Sequence, residues 1–433
     1  MIDPRLLFAR LFDAAVAAAD PALVIRDFLP ARPRGRTVVV GAGKASARMA
    51  AAFEAAWDGP LEGVVVTRRG QKAGGGAACR RIEVIEAGHP VPDAAGLAAS
   101  ARLLEAVRGL TRDDLVVALI SGGGSALLPA PPAGMELADE IAVNEALLAS
   151  GAPISAMNTV RKHLSAIKGG RLALAARPAR VVTLVVSDVP GDNPAFVASG
   201  PTVADAAGRA DALAIVEAYR LALPDAAMRH LRTPAADAPG PDDPRLSGNE
   251  VRIVASAARA LEAAAAEAAR HGLRAAILSD AIEGEARDVG VVHAAVAREI
   301  ALRDRPFARP VVMLSGGETT VTIRGAGDGK SGGKNGGKGG RNGEFLLAFA
   351  LAVDGCAGID GFAADTDGID GSGDNAGAFA DGATAARMRA AGVDPRAALS
   401  RHDSWTAFRA AGGLFSPGPT GTNVNDFRAV LVR

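Results

Sequence analysis

Four times along the chain a short run of apolar, mostly β-branched residues gives way at once to glycine, serine and acidic residues: TVVVGAGKAS (37–46), DLVVALISGGGSALL (114–128), VVTLVVSDVPGDNP (181–194) and PVVMLSGGETTVT (310–322). Apolar runs of this length without polar alternation predict strands covered on both faces. Alanine-rich stretches such as AARALEAAAAEAARHG (257–272) lie between them with helical periodicity. Strand and helix in alternation predict βαβ units and a parallel sheet. The expected fold class is α/β, in two domains, each a largely parallel sheet flanked by helices. The segment TPAADAPGPDDPRLSG (233–248) loses all periodicity and holds four prolines, which marks a boundary: one domain over 1–236, a second over 246–433. Ligands of open parallel sheets bind beyond the carboxyl ends of the strands, where these polar loops fall, so the active site is expected in the cleft between the domains.

Composition narrows the function classes. The 433 residues exceed one ordinary core, and Lys plus Arg equals Asp plus Glu at 48 each. No global field then attracts nucleic acid or an anionic membrane, so any anion site must be local. No apolar stretch approaches the length of a membrane span, roughly 18 residues. The first residues interrupt their apolar pattern with Asp3, Arg5, Arg10 and Asp13, unlike a secretory leader. Cys79 and Cys356 stand far apart in no metal or disulfide spacing, so a cytoplasmic protein is expected. Glycine is in excess, 52 residues, and concentrates in the loops after strands.

The loops carry the candidate chemistry. Gly41-Ala42-Gly43-Lys44-Ala45-Ser46 ends a strand and opens a helix, a junction that presents backbone N–H groups to an anion. Position 38 is Val, so the Gly-x4-Gly-Lys-Ser/Thr spacing of a P-loop fails, and Ser46 stands where a dinucleotide fingerprint needs its third glycine. Ser121-Gly122-Gly123-Gly124-Ser125 offers consecutive bare amides and two hydroxyls, suited to a carboxylate or phosphate. Asn158, Arg161, Ser165 and Lys168 repeat at three, four and three residues, a spacing that predicts one polar, cationic helical face; His163 lies off it and reads as structural. Asp188 and Asp192 on one loop, and Gly316, Gly317 and Glu318 on another, occupy equivalent positions after their strands. Asp367, Asp370 and Asp374 follow a further apolar run; with glycine two positions early and no closing Glu, this segment is no calcium loop, while magnesium needs only one or two such carboxylates. The segment 326–341, AGDGKSGGKNGGKGGR, is of low complexity and reads as a surface loop whose lysines and Arg341 could close over phosphates. Thr420, Thr422, Asn423, Asn425 and Asp426 precede the last strand-like run and read as turn chemistry.

Taken together, GAGKAS, SGGGSALLPAP, MNTVRKHLSAIKGGRLA, SDVPGDNPAFVASGPT, LSGGETTVTIRG, GGRNGEF, DTDGIDGSGDNAGAF and GPTGTNVND resemble, in order from residue 41 to 426, the class II glycerate kinases. The resemblance implies a Rossmann-like N-terminal glycerate kinase domain and a C-terminal domain of the MOFRL type. It implies ATP- and Mg²⁺-dependent phosphorylation of D-glycerate, with 2-phosphoglycerate as product. Lys44 and Arg341 match the family's lysine and arginine and are expected to hold the carboxylate or the transferring phosphoryl oxygens. Asp188 is the third expected catalytic residue, with Asp188, Asp192 and Asp367 the candidate Mg²⁺ ligands. The same resemblance draws Lys162, Asn342, Thr420 and Asn423 into the expected binding set beside Gly41, Gly43, Ser46, Ser121–Ser125, Asn158, Arg161 and Gly316–Glu318. Two departures stand out: the glycine-lysine run before Arg341 is longer than the family's usual turn, and Gly343 stands where the family usually has Gln.

Two other readings use the same residues. An NADPH-dependent hydroxypyruvate reductase would draw on the first loop and on the cationic Thr67-Arg68-Arg69. A sugar-acid or phosphate-ester binding module would need the cleft without turnover. A small-molecule partner is expected, with neither nucleic acid nor membrane, and with room for a homo-oligomer.

Overall fold

In the computed structural model, residues 2–71, 79–323 and 337–433 are described. The chain divides into two compact units, Pro21–Ala255 and a second made of the chain up to Asp20 with Ser256–Arg433.

Pro21–Ala255 is built on six strands: β1 (Thr37–Ala42), β2 (Glu62–Arg68), β3 (Ile82–Ala87), β4 (Leu115–Ser121), β5 (Arg180–Val186) and β6 (Glu250–Ala255). Their spatial order is β3-β2-β1-β4-β5-β6 and every pairing is parallel. The order reverses between β1 and β4, which makes their carboxyl ends the crevice of a doubly wound sheet. The unbroken apolar runs are explained by cover on both faces. Val38, Val40 and Ala42 share a core with Ala99 and Leu103 of the helix Ala94–Ala106, while the helix Ser46–Ala56 also packs on β1, β2 and β4, burying Met49, Ala50 and Phe53. Each buried Val, Leu or Phe of this kind contributes about 1.5–3 kcal/mol of transfer free energy. Beside the sheet, Val143, Leu147, Val160, Val216 and Leu231 form a separate, helical core.

The expected boundary at 236–246 falls elsewhere. Arg171 donates to the carbonyls of Ala236 and Asp237 at 2.9 and 3.0 Å, and Asn249 accepts the Val181 amide at 3.0 Å. The proline-rich run is thereby tied into this unit, and β6, beyond it, completes the same sheet. Proline removes periodicity, but it does not by itself release a segment from a core.

The other unit holds β7 (Arg274–Ser279), β8 (Gly284–Glu285), β9 (Val311–Gly317), β10 (Thr319–Thr320), β11 (Ile359–Asp365), β12 (Gly377–Asp381), β13 (Leu414–Phe415) and β14 (Asp426–Val432). Its main sheet runs β13-β12-β11-β14-β9-β7, and β8 pairs with β10. A largely parallel sheet was expected here, and the pairing corrects that. Only β7 and β9 are paired parallel in this sheet among the described residues; β9–β14, β14–β11, β11–β12 and β12–β13 are antiparallel. The physical reason lies in the last strand. β9, the helix Arg341–Ala352 and β11 make a parallel crossover, and β14 then inserts between the two strands, antiparallel to both. The first helix, Pro4–Ala19, belongs to this unit: its Phe8 stacks on Phe362, and its Phe12 meets Phe362, Phe415 and Phe427 edge-on.

Candidate functional site

In the parallel-sheet unit the loops after β1 and β4 interlock. The Lys44 amide donates to the Gly122 carbonyl at 2.9 Å, and the Ala45 amide to the Ser121 hydroxyl at 3.0 Å. Ser46 donates from its hydroxyl towards both the Gly43 and Val66 carbonyls, at 2.8 and 2.6 Å. These bonds fix the turn so that the Lys44 side chain runs over the glycines. A Cβ on Gly122 would overlap the Asp188 carboxylate. On Gly123, in the left-handed region at φ 79°, it would stand 2.9 Å from His89 Nε2 and 3.1 Å from Cγ and Cε of Lys44. Two adjacent bare α-carbons are therefore the floor onto which a lysine, a carboxylate and an imidazole close, from the carboxyl ends of β1, β5 and β3.

His89 was not among the expected residues. It follows β3 in Gly88-His89-Pro90, the same strand-then-glycine position that singled out the other loops, so the signal was present in the sequence. Burial, and after it the charges of Lys44 and Arg68, push its imidazole down to about 4. It is neutral near neutrality.

Behind this floor the hydroxyls of Ser125 and Ser199 are bonded at 2.7 Å, Ser199 donates to Asn158 Oδ1 at 3.1 Å, and Arg161 donates to Asn158 Oδ1 and Asn144 Oδ1 at 3.2 and 2.8 Å. Burial holds the Arg161 guanidinium below its usual range. Ser199 and Ala198 both sit at positive φ, a costly backbone conformation for these residues, in the turn that brings Ser199 to Ser125.

Several expected binding residues have internal roles. Gly41 lies within β1, where a side chain would strike the Leu119 carbonyl. The Ser46 hydroxyl is consumed by the turn. Lys162 is fully buried against Asp205 and the Phe196 ring, 4.8 Å from the ring centre. The predicted cationic face does not exist as one helix: Ile154–His163 ends there, and Ser165 accepts the Ile167 and Lys168 amides in a turn. Lys168 instead points inward to Glu140 Oε1 at 2.7 Å and the Leu128 carbonyl at 2.8 Å. His163 is structural as expected, donating from Nδ1 to the Thr159 carbonyl at 2.8 Å. Asp192 stands at φ 54° in the loop after β5.

In the mixed-sheet unit the centre is Arg341, at the start of the helix Arg341–Ala352. Its Nε donates to Asp426 Oδ1 at 2.6 Å, NH1 to Glu318 Oε1 at 2.7 Å and NH2 to Asp365 Oδ2 at 2.8 Å. Burial works against its charge, but Asp426, Asp365 and Glu318 outweigh it and hold the guanidinium more firmly protonated than usual. Asp426 is fully engaged: Asn342 Nδ2 at 2.8 Å, the Thr319 amide and hydroxyl at 3.1 and 3.0 Å, and the buried Arg428 also donate to it. Burial raises the Asp365 carboxyl above its usual range; Arg341 works against that shift, and Asp367 and Asp426 add to it. Asp370 caps the helix, accepting the Asn342 and Gly343 amides at 3.0 and 2.8 Å, and burial lifts it to about 6.

Asp367 closes local turns, accepting the Ile369 amide at 2.9 Å. Thr420 donates to the Thr366 carbonyl at 2.5 Å, and Asn423 accepts the Asn425 amide at 2.9 Å, so both fasten the loop before β14 as turn chemistry predicts. Gly316 and Gly317 end β9, where Gly317 lies against the Ile282 backbone. Of the low-complexity run, residues up to 336 lie outside the described residues. Lys338 is described, with its ammonium 3.6 Å from the Trp405 ring centre and 3.2 Å from Asp374. A Gln side chain at position 343 would meet Ser404, whose hydroxyl and Cβ fill that space.

No group of three His, Cys, Asp or Glu side chains poised for a metal ion occurs among the described residues. Magnesium needs fewer, because it keeps waters and takes phosphate oxygens, so Asp188, at the open glycine floor, has the donor chemistry to serve it. A cavity of about 640 Å³ opens at the opposite, amino-terminal end of β1 to β3, where Arg36 pairs with Glu62 and Arg102 with Glu83. It is remote from these loops. Cys79 and Cys356 are both free, and no described helix is long and apolar enough to cross a membrane.

Comparison with known proteins gives the family. Residues 7–232 match the family described as "Domain of unknown function (DUF4147)", and residues 311–426 match the MOFRL family. The chain is 38% identical to the D-glycerate 2-kinase of Thermotoga maritima over all of both chains. It is 54% identical to a protein of Agrobacterium vitis named "Putative hydroxypyruvate reductase", over the whole of this chain and 95% of that one. A crystal structure of Thermotoga maritima glycerate kinase superposes with a TM-score of 0.88 at 36% identity, covering 99% of each chain. Full-length likeness in sequence and fold, with both family domains in order, places this chain in the class II glycerate kinase family.

Proposed function

We propose that the chain transfers the γ-phosphoryl group of ATP to D-glycerate, giving 2-phosphoglycerate, with Mg²⁺ accompanying the nucleotide and the cytoplasm as its location. The observation that carries this reading is the closure of Lys44 and Asp188 over the Gly122-Gly123 floor at the switch point of the parallel sheet. Phosphoryl transfer depends on positioning and charge neutralisation more than on covalent chemistry. Lys44 supplies positive charge beside two residues that carry no side chain of their own, where it would neutralise an oxyanion. Asp188, across the same floor, is placed to take the hydroxyl proton or to hold Mg²⁺, which would neutralise phosphate charge. In the other unit Arg341 presents a guanidinium oriented through three of its donors, and Asn342 is held by the same Asp426. Release of ADP from ATP and D-glycerate tests the reaction. An enolase-coupled assay or phosphorus NMR separates 2- from 3-phosphoglycerate.

The name of the Agrobacterium relative favours a second reading, reduction of hydroxypyruvate by NADPH. The first loop opposes it: a buried serine, its hydroxyl bonded to two carbonyls, stands where the fingerprint's third glycine permits close helix packing. Oxidation of NADPH by hydroxypyruvate, followed by absorbance, decides between the two.

A further inference from the structure

The histidines of this chain fall into two kinds. His163 and His293 each donate from Nδ1 to the carbonyl four residues earlier, at 2.8 Å, and His293 accepts the Ser315 hydroxyl on Nε2 at 2.9 Å. These rings are fastened to the scaffold. His89 is not: among the described residues neither of its ring nitrogens has a hydrogen-bond partner. Yet it is half-buried, with Nε2 beside the Gly123 α-carbon and the Lys44 side chain within reach of the same point. Its charged neighbours are Lys44 from the turn after β1 and Arg68 at the end of β2. Asp188 lies across Gly122, Glu86 is on its own strand, and Asp93, past the turn, is paired with Arg69. Two cations and an imidazole without a hydrogen-bond partner thus stand over the Gly123 backbone, a set of groups that an oxyanion of a ligand would complement.

We infer that His89 is a substrate-contacting residue, completing with Lys44 and the Gly122-Gly123 backbone a receptor for an oxyanion of the substrate pair. This rests on the reading of the Lys44 site given above. The oxyanion is the hydroxy-acid carboxylate or a nucleotide phosphate, which share this chemistry. In the free chain burial, and after it the two cations, keep the ring neutral. An anion seated between Lys44 and His89 offsets those cations and so raises the ring's proton affinity, and an imidazole N–H donates a hydrogen bond to the anion whether or not the ring is charged.

Histidine C–H resonances of the full chain, with His89 assigned by the His89→Gln variant, report its titration directly. Inorganic phosphate and D-glycerate are the two probes. The His89 midpoint is expected to rise by at least about one pH unit with the anion that occupies the site. Movement with glycerate alone assigns the carboxylate, and movement with phosphate alone assigns the nucleotide side. In steady state, His89→Gln is expected to raise KM for the same substrate about 10-fold while kcat changes little, as loss of a hydrogen bond to a charged group predicts. A midpoint unmoved by either anion, or parental kinetics in His89→Gln, overturns the inference. Lys44→Ala separates the two levels: inactive Lys44→Ala beside parental His89→Gln removes His89 alone, whereas full turnover in Lys44→Ala removes the site reading beneath it.

Discussion

Arg341 and its partners show how unequal three similar ion pairs can be. Glu318 is half exposed, whereas the Asp426 side chain is fully buried and also neutralises Arg428. Glu318→Gln is therefore expected to change stability by no more than about 1 kcal/mol in urea unfolding. Asp426→Ala takes the common carboxylate from the buried Arg428 and from Arg341 and is expected to cost about 3–5 kcal/mol in the same measurement. For activity, Arg341→Ala should lower the rate of ADP formation by about 10³- to 10⁵-fold, the range seen where an arginine meets the transferring phosphoryl group. Arg341→Lys should recover little of it, since a single ammonium cannot reproduce a fork anchored on three carboxylates. Near-normal turnover in Arg341→Ala would remove it from the chemistry. Lys44, Arg341 and Asn342 were proposed from the sequence because each stands beside glycine after a strand or at a helix start, and Asp188 because it follows a strand directly. His89 obeyed the same rule and was passed over, since a lone histidine beside proline has no spacing signature.

At the scale of elements, local pattern predicted the strands and the loops after β1, β4, β5 and β9. It failed for 154–173, where a three-and-four spacing continued past the end of a helix. Ser165 bonds the amides of Ile167 and Lys168 and so stops the helix, a competition that periodicity does not register. The helix Arg341–Ala352 offers a direct test of packing. Its Gly343 faces Ser404 of the helix Ser404–Ala410, and a Cβ there would already overlap the Ser404 hydroxyl. Gly343→Gln, the residue usual in the family, is expected to destabilise by about 1–3 kcal/mol through overpacking. Adding Ser404→Gly should recover most of that loss. Thermal unfolding of the single and double variants checks it, and equal stability of Gly343→Gln and the parent would show that the space is open.

Across the whole molecule, buried titratable groups set opposing pH dependences. Burial depresses His293 to about 4, so its contribution to stability is present above its unfolded value of 6.5 and is lost as pH falls towards 4. Asp370, lifted to about 6, acts the other way: its protonated form favours the folded state, and that contribution is lost as pH rises through 6. His293→Gln should therefore narrow its stability gap to the parent as pH drops from 6.5 to 4, read as the difference in Tm between the two proteins. A gap that stays constant over that window would show that His293 does not titrate in the folded chain.

Strand and helix identity, the family resemblance and the glycine loops are properties of adjacent residues, and for that reason the sequence alone determined them: steric freedom at glycine and apolar runs act over a few positions. Partner choice was decided by tertiary structure. Nothing local says that the last strand inserts antiparallel between β9 and β11, that β6 joins the first sheet across a proline-rich run, or that Lys162 and Lys168 turn inward to carboxylates. Each depends on which distant group removes a strand edge or a charge from water, and that free energy exists only once the chain has folded.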